Sequence, residues 1–342
     1  MLAHLLFLGL LTASTQGQWT QLEPLPDKEG FAGAFAGVSA DSLIVAGGTN
    51  FPGKMPWEGG VKQWHDDVHV LRDPGGKWEK VGRLPRPNGY GVSLTTEQGL
   101  LLIGGGDERE HFRSVWRLRL DGAEARFDKL PDLPRTCAFM AGVVSDGIVY
   151  VAGGIERPTD TAALATFWAL DLLSFEAGWQ QLKPCPGPAR ILASMAAFNG
   201  RVYLFSGASL KSGKDGKAER EWLKDGWCFS TAEGWRQVAG MAHAAVAAPG
   251  PLPVRGGRLL LIGGDDGALV SFEPKDKHPG FPRRVLAYDP LDDRWSAAGE
   301  VPFSRVTTPA VEWRGRVVIP GGEVRPGKRS PEVWLGLPRL VE

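Results

Sequence analysis

Val149-Tyr150-Val151-Ala152-Gly153-Gly154, a short β-prone apolar run closed by two glycines, is one of six copies of a single pattern. The others are Leu43-Ile-Val-Ala-Gly47-Gly48, Leu101-Leu-Ile-Gly104-Gly105, Val202-Tyr-Leu-Phe-Ser206-Gly207, Leu259-Leu-Leu-Ile-Gly263-Gly264 and Val317-Val-Ile-Pro-Gly321-Gly322. The second glycine falls at 48, 105, 154, 207, 264 and 322, steps of 57, 49, 53, 57 and 58 residues. A recurrence of about 50 residues, each unit too small to bury its own apolar faces, is the signature of a ring of sheets. Glycine pairs at such positions supply positive φ and let backbone approach backbone where strands crowd together.

A second landmark keeps the same register. An aromatic residue opens a short strand after each glycine pair, at Trp78, Phe127, Trp179, Trp235 and Trp295. The sixth stands near the N-terminus, as Trp19. The first strand is therefore expected to complete the last blade, which removes the open edge of a linear array. Each large aromatic is expected to fill the gap between neighbouring blades. Alternating strands such as Asp67–Leu71 and Val285–Asp289 lie between the landmarks, and Pro-rich turns follow them. The pattern predicts an all-β, six-bladed kelch β-propeller over residues 18–342.

Composition agrees and narrows the function. The 342 residues include 46 Gly and 26 Pro, a turn-rich chain. Lys+Arg 39 balances Asp+Glu 39, so no basic field is present to hold a nucleic-acid backbone. Cys137, Cys185 and Cys228 follow no metal-binding spacing and read as small buried hydrophobes. Residues 1–17 carry an apolar run from Leu5 to Leu11 followed by small and polar residues. They read as a secretory signal peptide, placing the mature chain in the periplasm or outside the cell, and nothing later is apolar enough to span a bilayer.

Fold alone leaves function open, so the loops decide. Arg86, Arg135, Arg190 and Arg305 follow the blade-joining turns. Pointing inward, they form a cationic mouth for a carboxylate; pairing locally, they brace their blades. In Glu323-Val-Arg325-Pro326-Gly327-Lys328-Arg329, Pro326-Gly327 is the central pair of a type II turn, which brings Glu323 and Arg329 face to face. The pair is either a general base beside a cation or a salt bridge stapling a loop. The insertion from Gly48 to Asp67 is aromatic and polar, offering Asn50 to a ligand and Trp57 or Trp64 as a stacking plate or a cap. The Asp107–His111 run reads as a solvated loop.

Three stretches resemble the kelch-propeller sialic acid mutarotases, the bacterial N-acetylneuraminate epimerases, and in particular their cyclically permuted group. They are Gly322-Glu323-Val-Arg325-Pro326-Gly327-Lys328-Arg329, the run from Gly30 to Ile44, and Arg86-Pro-Asn-Gly89-Tyr90-Gly91-Val-Ser93-Leu94. In the family's founding enzyme the counterparts of residues 30–105 lie near the C-terminus, as in a ring cut at another blade. The resemblance implies Glu323 as proton acceptor and Arg329 as its basic partner. With sialic acid as the substrate, Arg325, Arg86, Arg135, Arg190, Arg305 and Asn50 are the candidate contacts to it, and neither a metal nor a cofactor is required. The insertion departs from the founding enzyme's loop. A non-catalytic propeller binding a glycan or protein is the chief rival. A copper-radical oxidase fits poorly with four tyrosines, and a sialidase with the lack of any Ser-x-Asp-x-Gly-x-x-Trp box.

Overall fold

In each repeat the run before the glycine pair is apolar at consecutive positions, which suits a strand buried on both faces. The computed structural model, which describes residues 18–337, places these runs as the second strand of six four-stranded antiparallel sheets. Blade 1 is Phe35–Ser39, Ser42–Ala46, Asp67–Leu71 and Glu79–Arg83. Blades 2 to 5 repeat the order along the chain, with second strands Gly99–Ile103, Ile148–Ala152, Arg201–Phe205 and Arg258–Ile262. Blade 6 joins Val311–Trp313, Arg316–Pro320 and Val333–Gly336 to Trp19–Gln21, with Trp19 opposite Gly336. The structure is a six-bladed β-propeller. Among the described residues there is no α-helix, and no helix is long and apolar enough to cross a membrane. The leader read at 1–17 lies outside the described residues.

Period-two alternation of each second strand divides its side chains between two cores. Ile44 and Ala46 pack with Leu100 and Leu102 of blade 2, whereas Leu43 and Val45 pack with Trp313 and Val318 of blade 6. The same division continues through Leu101 with Val149, Tyr150 with Val202, Tyr203 with Leu259, and Leu260 with Val317. The protein thus has one core per blade junction. Four of the landmark tryptophans lie across these junctions. The indole N–H of Trp78, Trp179, Trp235 and Trp295 donates to the backbone carbonyl of Glu23, Pro131, Lys183 and Ala239, respectively, at 2.8–3.0 Å.

A ring of main-chain hydrogen bonds runs around the axis. Tyr90 N–H donates to the Gly33 carbonyl, Phe139 to Tyr90, Leu192 to Phe139, Ala247 to Leu192, Thr307 to Ala247 and Gly33 to Thr307, each at 2.8–2.9 Å. All six residues have φ between +55° and +66°. Five carry side chains, and each of these sits in a conformation that costs about 1–2 kcal/mol. One ring hydrogen bond, worth about 0.5–1.5 kcal/mol net, partly offsets that cost. The circuit closes only because all six members adopt the same left-handed geometry.

Candidate functional site

The residue just before each ring member pairs with the residue just after a glycine pair. The bridges are Ala32 with Thr49, Gly89 with Gly106, Ala138 with Ile155, Ile191 with Ala208, Val246 with Asp265, and Val306 with Glu323. Both residues of each glycine pair have positive φ, as in Gly321 (+64°) and Gly322 (+89°), and Ser206 adopts it in place of glycine (+55°). This kink carries the next residue over the ring. Of the six residues so placed, only Asp265 and Glu323 are ionisable.

Both carboxylates line a cavity of about 710 Å³, floored by the ring members Tyr90, Phe139, Leu192, Ala247 and Thr307. Phe51, Trp222 and Phe281 add aromatic wall, and Lys62, Arg220, Lys275 and Arg329 add positive charge. Below the ring a cavity of about 100 Å³, lined largely by small and apolar side chains, continues along the axis.

Glu323 opens a short hairpin in which Glu323–Arg325 pairs with Lys328–Arg329, Glu323 lying opposite Arg329. Gly327 has φ +80°, as the second residue of the turn requires. Its N–H donates to Glu323 Oε1 at 2.7 Å, and Glu323 Oε2 lies 3.6 Å from Arg329 Nη1. The Arg329 side chain is only 4% exposed. Its guanidinium lies 4.7 Å from the centre of the Phe51 ring, Nη2 reaches the Tyr90 hydroxyl at 3.4 Å, and buried Nε has no partner. The insertion from blade 1 covers this hairpin, with Pro56 and Trp57 packed against Gly327. A half-buried carboxylate next to a fixed cation, in a cavity walled by rings, is equipped to take and return a proton on a polar ring-shaped ligand.

The other expected contacts lie elsewhere. Arg86 and Arg135 stand four residues before their ring members (90 − 4, 139 − 4), but Arg190 and Arg305 stand two before theirs (192 − 2, 307 − 2), so the four are not equivalent. None lines the cavity. Arg86 pairs with Asp107 and Glu110 at 3.1 and 2.9 Å over the Phe112 ring, and Arg135 pairs with Glu156 at 3.3 Å. Arg190, 2% exposed, holds Asp225 through two bonds of 2.7 and 2.6 Å. Burial alone would raise the Asp225 pKa, but Arg190 and the Trp227 indole hold it below the usual range. Arg305 is buried on Glu332 (2.6 Å) and Ser330 (3.0 Å). The inward cationic mouth is therefore replaced by four braces, because each arginine finds a carboxylate within its own blade or loop.

Arg325 also points away, donating to the Asp276 carbonyl at 2.6 Å and so tying the hairpin to the blade 5 insertion. Asn50 is fully buried between Asp27 (3.0 Å) and His65 (2.9 Å), where it fixes the base of the blade 1 insertion. Trp64 packs edge-on against Tyr90, and Trp57 caps the hairpin turn. Asp107 accepts the N–H groups of Arg109 and Glu110, while His111 is buried against the Ile155 carbonyl. All three cysteines are free; burial pushes the Cys185 thiol up to about 11 and Cys137 higher still.

Asp265, Trp222 and Lys62 are cavity residues that the motifs did not single out. Asp265 had a visible signal, since Gly263-Gly264-Asp265 repeats the register of Gly321-Gly322-Glu323. Its carboxylate accepts the Gly267 N–H at 2.9 Å and faces the Trp222 indole N–H at 3.3 Å.

The N-acetylneuraminate epimerase family model matches residues 9–126. The likeness is to the N-acetylneuraminate epimerases. The enzyme of that name from Yersinia enterocolitica is 25% identical over 237 residues, 62% of this chain and 58% of the relative. Those from Yersinia pestis and Shigella flexneri reach 39% over 120 residues and 41% over 97, covering 30% and 26% of the relatives. The chain thus spans less than two thirds of the length of these relatives, and the family-model match ends before Glu323. The solved structure of YjhT shares the fold, with TM-score 0.67 across 92% of this chain and 96% of that one at 15% identity.

Proposed function

We propose that this chain interconverts the α- and β-anomers of N-acetylneuraminate through the open keto form, with Glu323 as the general base. The observation that carries this reading is Glu323 beside Arg329 in the ring-floored cavity, 3.6 Å apart across a hairpin. The similarity to N-acetylneuraminate epimerases supports the substrate.

Glu323 takes the proton of the anomeric hydroxyl as the bond from the anomeric carbon to the ring oxygen breaks. Water in the open mouth protonates the ring oxygen, leaving a ketone and a free hydroxyl. The exposed carbonyl rotates, the hydroxyl adds back to its other face as its proton returns to the hydroxide left by that water, and Glu323 returns its proton to the new anomeric oxygen. Arg329 steadies the negative charge of Glu323 between turnovers. The Gly327 N–H keeps one carboxylate oxygen fixed and leaves the other, 3.6 Å from Arg329, to take the proton. Asp265 supplies an acceptor for sugar hydroxyls, and Trp222 an apolar face.

Proton NMR of α-N-acetylneuraminate, released in situ by a sialidase, measures the reaction directly. Wild type is expected to speed the appearance of the β-anomer. Glu323→Gln is expected to lower that acceleration by about 10²–10⁴, the usual contribution of a general base. No acceleration by wild type overturns the reaction and leaves a binding propeller. Acceleration that survives in the variant removes Glu323 as the base.

A further inference from the structure

Lys62 has an unusual setting. It comes from the blade 1 insertion, and its ammonium lies 5.8, 5.6 and 5.2 Å from the ring centres of Phe51, Trp64 and Tyr90. It points at the Tyr90 hydroxyl at 3.5 Å. No carboxylate of the described residues lies within ion-pair distance of it. The other cations of the cavity are differently placed. Lys275 is held by Glu273 at 3.0 Å and by the Phe272 carbonyl at 2.9 Å, and Arg220 is exposed. Arg329 approaches the same Tyr90 hydroxyl from blade 6, with its buried Nε unpartnered. Two cations from opposite ends of the chain thus converge on one hydroxyl among aromatic rings. Arg329 has Glu323 at 3.6 Å, so Lys62 is the cation of the pair with no carboxylate beside it, and its ring of aromatic faces favours a bound anion there.

We propose that Lys62 and Arg329 form a carboxylate clamp at the Tyr90 hydroxyl, and that Lys62 selects sugar acids over neutral sugars. The inference rests on the function proposed above and deepens it. In N-acetylneuraminate the carboxylate carbon is bonded directly to the anomeric carbon. Holding the carboxylate between Lys62 and Arg329 therefore sets the anomeric hydroxyl next to Glu323, since Arg329 touches both groups. The Thr49 hydroxyl, 2.8 Å from that of Tyr90, fixes the centre of the clamp. Lys62 is a specificity residue here, outside the proton transfers assigned to Glu323.

Titration calorimetry with N-acetylneuraminate and its methyl ester, on wild type, Lys62→Met and Lys62→Arg, tests the clamp. Wild type is expected to bind the acid at least tenfold more tightly than the ester. That ratio should fall at least tenfold in Lys62→Met and be largely kept in Lys62→Arg. In the NMR assay Lys62→Met should raise KM by a similar factor while kcat changes less than threefold. A thermal melt matching wild type checks that each variant is folded. An acid-to-ester ratio in folded Lys62→Met equal to that of wild type overturns the clamp and leaves the proposed reaction standing. Failure of wild type to bind either compound overturns the proposed function and the clamp with it.

Discussion

Arg190 is the sharpest test of the reassignment from ligand contact to brace. Substitution by methionine keeps much of the aliphatic volume but removes the charge. It strands Asp225, whose side chain is 19% exposed, without the two bonds of 2.7 and 2.6 Å that hold it ionised. It also frees the Ser206 and Pro188 carbonyls, which Arg190 bonds at 2.9 and 3.0 Å. Breaking one side of a buried ion pair costs about 3–5 kcal/mol. Partial exposure of Asp225 and water access to the Pro188 carbonyl argue for the lower end, about 3 kcal/mol. Urea unfolding of wild type and Arg190→Met, followed by tryptophan fluorescence, reads this as a lower midpoint at similar slope. The same samples, assayed well below the unfolding transition, should keep kcat/KM within about threefold of wild type, a difference below about 0.7 kcal/mol. A hundredfold loss of kcat/KM with stability intact would refute the reasoning and return Arg190 to the substrate.

Two further outcomes follow from the geometry. Gly322→Ala places a Cβ 2.9 Å from Thr308 Cγ2 and 3.0 Å from the Val306 carbonyl oxygen at φ +89°. It is expected to cost about 1–3 kcal/mol in urea unfolding and to lower activity by displacing Glu323. Burial is the main cause of depressed pKa values at His65, His69, His111 and His278. The unfolded chain therefore binds these protons first, so their contribution is fully present above pH 6.5, the unfolded value, and is lost as pH falls toward the folded values. Thermal melts should show a midpoint near pH 7.5 that declines on acidification below 6.5; a midpoint that rises there contradicts the assignment.

Much of the fold was legible because the repeat imposes the same local physics six times. Apolar runs buried on both faces, glycine pairs with positive φ and an aromatic at each junction are local requirements, and each leaves a residue-type trace. The Glu323 hairpin was legible for the same reason, since Pro326-Gly327 sets the turn and the turn sets the pairing with Arg329. The repeat arginines misled because a turn motif places the backbone but not the direction of a long side chain. Asp107, Glu156, Asp225 and Glu332 decided those directions.

Residue order by itself determined the number of blades, the glycine kinks and the facing of Glu323 and Arg329, all consequences of backbone preferences acting over a few residues. Tertiary structure alone decided which groups share the cavity. Lys62, Trp222, Asp265 and Arg329 come from the insertions of four different blades and Tyr90 from the link between blades 1 and 2, and they meet because a closed ring of hydrogen bonds turns distant segments toward one axis. Their convergence depends on the curvature of the whole ring and on long side chains choosing among partners, neither of which a local stretch of sequence encodes.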